Sequence, residues 1–330
     1  MLLSLTRIVM SLKSIYFADL LISNKGYHFR YLKGASNPIT VVDEIYHEEI
    51  KKIVAELNIR IDNGEHEFFY SYQSIPFRAS IVETVDGVGY FLRRLKLPIP
   101  ELDCLGFSPA MLNTLKCLGN KRGMILIAGA TGSGKSTTIY SLLKEYVSTF
   151  GDIVIAIEDP PEIPVQGCYG DNSQGIWYQI DARQAGGYEN AMISAMRYNP
   201  KYIFLGEIRS AKTAKEAIRA AVNGHLVVST IHGNTVQGAI YALQQIAASE
   251  GDIELVRSIL GDGLLCVIHQ ELAFTSKGER ILKANMLYVG GIPAIVSKIR
   301  SGKLELLSNE IESQKILLSR GINLASEQNR

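Results

Sequence analysis

GATGSGKST, residues 129–137, is the stretch on which the reading of this chain turns. Gly129, Gly132, Gly134, Lys135 and Ser136 carry the pattern G-x-x-x-x-G-K-[ST], and Ala130, Thr131, Ser133 and Thr137 complete the loop. Glycines allow positive φ and turn successive N–H groups toward a phosphate. The lysine supplies a fixed cation for β/γ phosphates, and the hydroxyl of Ser136 ligates Mg²⁺. The flanks fit that role. GMILIAGA before the loop is a short buried-strand run, and TTIYSLLKEYV after it is apolar at helical spacing. Strand, loop and helix in that order hold a phosphate at a helix N-terminus, which a chance glycine-rich turn would not require.

The surrounding 330 residues are ordinary for a globular chain, with 47% hydrophobic and 20% charged residues, and long enough for two cores. A formal net charge of +1 implies no general attraction to nucleic acid or anionic membrane. Cys104, Cys117, Cys168 and Cys266 form no C-x-x-C pair, so they read as reduced thiols of a cytosolic protein rather than a zinc site or a disulfide frame. The opening MLLSLTRIVMSLKSIYFADLLI is apolar but broken by Arg7, Lys13 and Asp19. A spanning helix needs ~20 nearly uninterrupted apolar residues. The segment therefore reads as an amphipathic element packed on the body, with membrane contact as the alternative.

Between residues 15 and 95 the runs YHFRYL, EFFYSY, IPFRASIVET and VGYFLRRLKL are strand-like, with DNGEH and VDGVG as turns. VVDEIYHEEIKKIVAEL has helical periodicity, with Asp43 near its start. This predicts a small α+β domain over residues 1–95. KLPIPELDCLGFSP follows as a proline-bearing linker, placed at 96–108, and residues 109–330 form the second domain. There MILIAG, DIVIAIED, YIFLGE and HLVVSTIH alternate with helical or loop sequence, which predicts a parallel α/β sheet with its ligand at the carboxyl ends of the strands. Past residue 285 the pattern is helical.

Cleaving a phosphoanhydride needs metal positioning, an oriented water and positive charge on the transferring group. Two predicted strand ends offer acids: EDPPE with Glu158, Asp159 and Glu162, and GEIR with Glu207. Taken singly each is as readily a cap or surface charge. A third strand, HLVVSTIH, is bracketed by two histidines. His232 falls on the same edge as the acids and suits a γ-phosphate sensor, whereas His225, at the opposite end, suits a structural coupling.

The order of these segments, with GHLVVSTIH last, resembles the secretion ATPase superfamily of type II secretion and type IV pilus motors, in which they are the Walker A, Asp box, atypical Walker B and His box. YFADLLISNKGYHFRYLKG, LRRLKLPIPELDCLGF, DARQAGG and MRYNPKYIFLGE extend the similarity over nearly the whole chain. The resemblance implies a RecA-like P-loop ATPase domain preceded by a PAS-like domain, and a homo-hexameric ring binding ATP and Mg²⁺. It implies phosphate and metal binding by Lys135 and Ser136, Glu162 as the water-activating base, Glu207 as a water- or metal-ordering acid, and His232 as the sensor. Arg78 and Arg93 fall where the family's arginines approach nucleotide; a solvated strand edge is the competing reading for Arg93 and Arg94.

Four positions depart from the family pattern: Leu21 where a histidine is usual, Lys201 in place of the Asp of Pro-Asp, Ser210 in place of an Asp, and Glu271 within Gln270–Leu272 where Q-R-L is usual. Assembly members carry an extra N-terminal domain and a tetracysteine module, neither visible here. The layout is closest to pilus retraction ATPases, with type IVB secretion or conjugation ATPases next and assembly or type II secretion ATPases as a further alternative. That implies a cytoplasmic ring at the inner face of the bacterial inner membrane, working on a pilus or secretion platform protein, with no nucleic acid. A RecA-like nucleic-acid translocase is the reading from another class, and it lacks a basic-aromatic stacking surface here.

Overall fold

The computed structural model describes residues 11–95, 97–274 and 280–326. By internal contacts the chain divides into two units, Met1–Pro98 with Pro160–Pro164, and Ile99–Asp159 with Val165–Arg330. The segment 160–164, which carries Glu162, thus groups with the N-terminal unit although it follows a strand of the second.

The first unit is an antiparallel sheet with one helix. Its elements are β1 (Asp19–Ser23), β2 (Gly26–Arg30), β3 (Ile39–Val41), α1 (His47–Asp62), β4 (Glu67–Tyr72), β5 (Ile75–Thr84) and β6 (Gly87–Arg94). The strand order is β3-β2-β1-β6-β5-β4. Alternation decides which face is covered. In β5, Ile75, Phe77, Ala79 and Ile81 are buried while Pro76, Arg78 and Ser80 are not fully so. Ile50, Ile53 and Leu57, at helical spacing on α1, join the same core. Phe17 stacks between Phe29 and Phe77 there, with ring centroids 4.6 and 6.1 Å away.

The structure refines one expectation and corrects another. The opening amphipathic stretch ends in a strand, β1, because Leu20 and Ile22 alternate into the core with period 2; its first ten residues lie outside the described ones. Helical structure also starts later than the periodicity of residues 41–57 suggests. Val41 ends the edge strand β3, and Asp43 caps a 3₁₀ turn, Glu44–Tyr46, by accepting from the N–H of Ile45 at 3.0 Å. Only then does α1 begin.

The second unit runs α2 (Pro109–Leu118), β7 (Gly123–Ala128), α3 (Lys135–Phe150), β8 (Asp152–Glu158), β9 (Gly167–Tyr169), β10 (Gly175–Asp181), α4 (Tyr188–Arg197), β11 (Tyr202–Glu207), α5 (Ala211–Val222), β12 (Leu226–Ile231), α6 (Val236–Ala248), α7 (Ile253–Gly263), β13 (Leu264–Phe274), β14 (Arg280–Tyr288), α8 (Pro293–Arg300) and α9 (Leu307–Ser319). Its sheet is ordered β14-β13-β7-β12-β11-β8-β10-β9. The strands from β13 to β10 are parallel, as the alternation of strand and helix predicts, and each edge adds one antiparallel strand, β14 and β9. Every residue of β7 and β12 is buried, as befits strands covered on both faces. Because the central strands are parallel, their carboxyl ends share one edge. Among the described residues no helix is long and apolar enough to cross a membrane.

Candidate nucleotide site

β7 ends at Ala128 and α3 begins at Lys135, so residues 129–134 make the turn between them. Gly129, Gly132 and Gly134 have φ of +148°, +80° and +87°, a region that side chains with a Cβ rarely adopt. Gly129 is required twice over, since a Cβ there would lie 2.2 Å from the backbone oxygen of Gln270. The Lys135 ammonium crosses the loop and donates to the carbonyls of Gly129 and Ala130, both at 2.9 Å. Burial holds it below lysine's ordinary pKa, while the Glu207 carboxylate pulls the other way. Ser136 and Thr137 lie in the first turn of α3.

Glu207 ends β11 at an irregularity. The register with β12 shifts between Leu205 and Glu207, and the Thr230 hydroxyl donates to the Gly206 carbonyl at 2.6 Å. The carboxylate is then shared. Arg209 donates to Oε2 through Nε at 2.8 Å, and His232 Nε2 lies 3.1 Å from Oε1. The predicted acid and sensor are thus joined on one edge. His225, at the other end of β12, contacts the Pro200 carbonyl through Nδ1 at 2.6 Å, a structural tie.

The acids after β8 separate. Glu158 is buried and accepts from the Tyr140 hydroxyl on α3 and from Gln179 Nε2 at 3.1 Å. Asp159 pairs with Arg183 at 3.2 Å. Glu162 is ion-paired with Arg78 of the first unit, and Arg78 Nη2 also lies 3.5 Å from Glu67. Arg93, beside Arg78 in the β5–β6 register, donates through Nε to the buried Asp19 at 3.0 Å.

Three side chains of the second unit escaped the sequence reading in their roles. Gln270 donates from Nε2 to the Ser133 carbonyl at 2.8 Å, although only its motif had drawn notice. Arg209 holds Glu207. Tyr188 sits over Gly206, where an added Cβ would lie 3.2 Å from its hydroxyl. Burial and then the charges of Asp159 and Glu158 push its pKa up to about 12. Of the three, only Arg209 had a sequence signal, its position just after the predicted strand YIFLGE.

The departures are mostly local. Ser210 caps α5 by accepting from the Thr213 N–H at 3.3 Å, a task an aspartate performs equally. Lys201 reaches Asn120 at 3.1 Å and lies over the Phe150 ring. Glu271 pairs across the hairpin with Lys283 at 3.9 Å. Leu21 lies between His28 and Phe91 in the register of β1 with its neighbours. The described cysteines are all free, with Cys266 buried and the other three exposed.

A glycine-rich strand–helix turn with a lysine across it, at the carboxyl edge of a mainly parallel sheet, defines a phosphate-loop nucleotide-binding unit. The chain belongs to the type II/IV secretion system protein family, whose model matches residues 58–283, and with it to the superfamily of secretion and pilus ATPases. The competence protein ComGA of Bacillus subtilis is 32% identical over 194 residues, 58% of this chain and 52% of that one. A twitching motility protein of Neisseria gonorrhoeae is 29% identical over 252 residues, covering 76% of this chain and 65% of its own length. The chain therefore spans about half to two-thirds of these curated relatives. A crystal structure of the pilus retraction motor PilT with bound ADP superposes with a TM-score of 0.76 at 27% identity, covering 91% of this chain and 87% of that one.

Proposed function

We propose that this chain is an ATP-hydrolysing motor of the pilus retraction type, acting as a homo-hexamer on the cytoplasmic face of the inner membrane through a pilus platform protein. The observation that carries this reading is the phosphate loop with Lys135 across it, in a fold that matches PilT with ADP over most of both chains.

The residues fit a nucleotide with Mg²⁺. Glycines 129, 132 and 134 already hold the positive φ that turns N–H groups inward, and among the described residues the Lys135 ammonium donates to carbonyls of its own loop, a cation set where dense negative charge would be held. Residues 129–137 would hold the phosphates, and Ser136 with Glu207 would hold the metal and its water. Mg²⁺ supplies charge neutralisation on the phosphate oxygens. Glu162 orients and deprotonates the attacking water, His232 reports on the γ-phosphate through Glu207, and Arg78 and Arg93 supply positive charge to the site of an adjoining copy.

Deletion in a piliated host separates the roles. Loss of a retraction motor leaves pili that accumulate and do not shorten, whereas loss of an assembly motor leaves none. The purified protein is expected to hydrolyse ATP only with Mg²⁺, with specific activity rising with protein concentration. Bald cells on deletion would overturn the retraction assignment, and a linear assay would overturn the assembled ring.

A further inference from the structure

Gln270 touches both ends of the phosphate loop. It lies one residue beyond the His269–Ala128 pair in the parallel register of β13 with β7, so it sits beside the point where β7 runs out. At the loop's start its backbone oxygen takes the space beside Gly129 that any Cβ would need. At the loop's end its Nε2 donates to the Ser133 carbonyl at 2.8 Å, and a Cβ on Gly134 would come within 3.3 Å of that nitrogen. The residue is 1% exposed. Its Oε1 and the nearby Ser133 hydroxyl are buried with no hydrogen-bond partner among the described residues. A carboxamide buried with half its capacity unused is costly to keep, so its retained bond to Ser133 is what orients it.

We infer that Gln270 is the positioning residue of the phosphate loop, a clamp from β13 that fixes the span between Gly129 and Ser133 before nucleotide arrives. This rests on the loop being a nucleotide site. The physical reason is entropic. A loop with three glycines in nine residues has wide freedom when unclamped, and ordering it would be charged to the ligand at binding. A clamp that acts equally on the ground and transition states changes affinity and leaves turnover at saturation alone.

The test measures Mg-ADP affinity by calorimetry and steady-state ATPase on the full chain for wild type, Gln270→Met and Gln270→Glu. Gln270→Met keeps the volume and removes the donor. It should weaken ADP binding and raise KM about tenfold with kcat within about twofold of wild type, the scale of one lost hydrogen bond. A purely structural role would lower the melting temperature and active fraction, leaving KM unmoved. Gln270→Glu turns an acceptor toward the Ser133 carbonyl when ionised but restores a donor when protonated. Its affinity relative to wild type should therefore recover from about pH 8 to about pH 6. Wild-type affinity in Gln270→Met overturns the inference. If that variant fails to fold, a flat pH ratio in Gln270→Glu overturns it instead. Failure of wild type to bind Mg-ADP would overturn the nucleotide site itself, a result distinct from both.

Discussion

The two sheets of this chain carry their charge in different places. In the large sheet the central strands β7, β11 and β12 carry no charge before their carboxyl ends, and charge gathers there, at Glu207, His232 and the lysine after β7, with Glu158 at the end of β8. In the small sheet charge lies across a face. Arg30, Asp19, Arg93 and Arg78 are successive cross-strand neighbours on β2, β1, β6 and β5. The cause is burial. A parallel strand covered on both sides tolerates no charge until its end, whereas an antiparallel strand with one open face can carry a charge at every second residue. Charges at strand ends converge on one point and make a site. Charges on a face pair with each other first, as Arg93 does with Asp19, and act on a ligand only by leaving or sharing that partner.

If the strand-end charges form the site, removing the lysine has the largest effect. Lys135→Ala should reduce ATP turnover on the order of 10³-fold and weaken nucleotide binding, with the fold intact because, among the described residues, the hydrogen bonds of its ammonium stay within its own loop. A folded Lys135→Ala protein with wild-type turnover breaks the comparison at its root.

Glu162 sharpens it, because it belongs to the first unit by contacts and to the site by proposal. For Glu162→Gln, hydrolysis should fall on the order of 10²-fold with nucleotide affinity unchanged, as for a lost general base. Glu67→Gln, which removes the other carboxylate beside Arg78, is the control. An equal loss there, with weaker binding in both, would mean that Glu162 serves only as the partner of Arg78.

Arg93 tests the face. Its side chain is 67% exposed while that of Asp19 is 10% exposed, and Arg30 stands 3.7 Å from the same aspartate. Arg93→Ala should cost about 1 kcal/mol of stability, since one exposed partner is lost and another remains. Asp19→Asn added to it should restore that stability. Activity should stay about tenfold down in the double variant if Arg93 also serves a neighbouring site. Activity recovering together with stability would confine Arg93 to its own sheet.

What was legible in the sequence follows the same division. The loop could be read because its glycines, lysine and hydroxyl have fixed spacing, and Glu207 because four apolar residues lead to it. β10 and β13 were passed over. GIWYQID mixes aromatic and polar residues, and LLCVIHQELAF follows α7 with no turn residue after Gly263 to mark a break. With β13 unread, the place of Gln270 behind the loop was out of reach. The contact is set by strand order, β13 beside β7, which no local pattern encodes.

The smallest expected effect concerns Ser210, where the family pattern has an aspartate at the edge that carries Glu207. In the structure Ser210 does a helix end's work. Its backbone is extended, at φ −125° and ψ 154°, its Oγ accepts from the Thr213 N–H, and its hydroxyl donates to Thr213 Oγ1 at 2.9 Å. Serine and aspartate are comparable caps, so Ser210→Asp should leave the melting temperature and ATPase rate nearly unchanged, while Ser210→Ala should cost about 1 kcal/mol with kcat retained in the folded fraction. The aspartate also adds a negative charge at the N-terminal end of α5, where it meets the helix dipole favourably, and a gain of a few tenths of a kcal/mol at low salt is the expected sign. A rise in turnover for Ser210→Asp well beyond that change in stability would show that the edge reads charge at position 210 as well as at Glu207, and the split between catalytic strand ends and structural caps would have to be redrawn there.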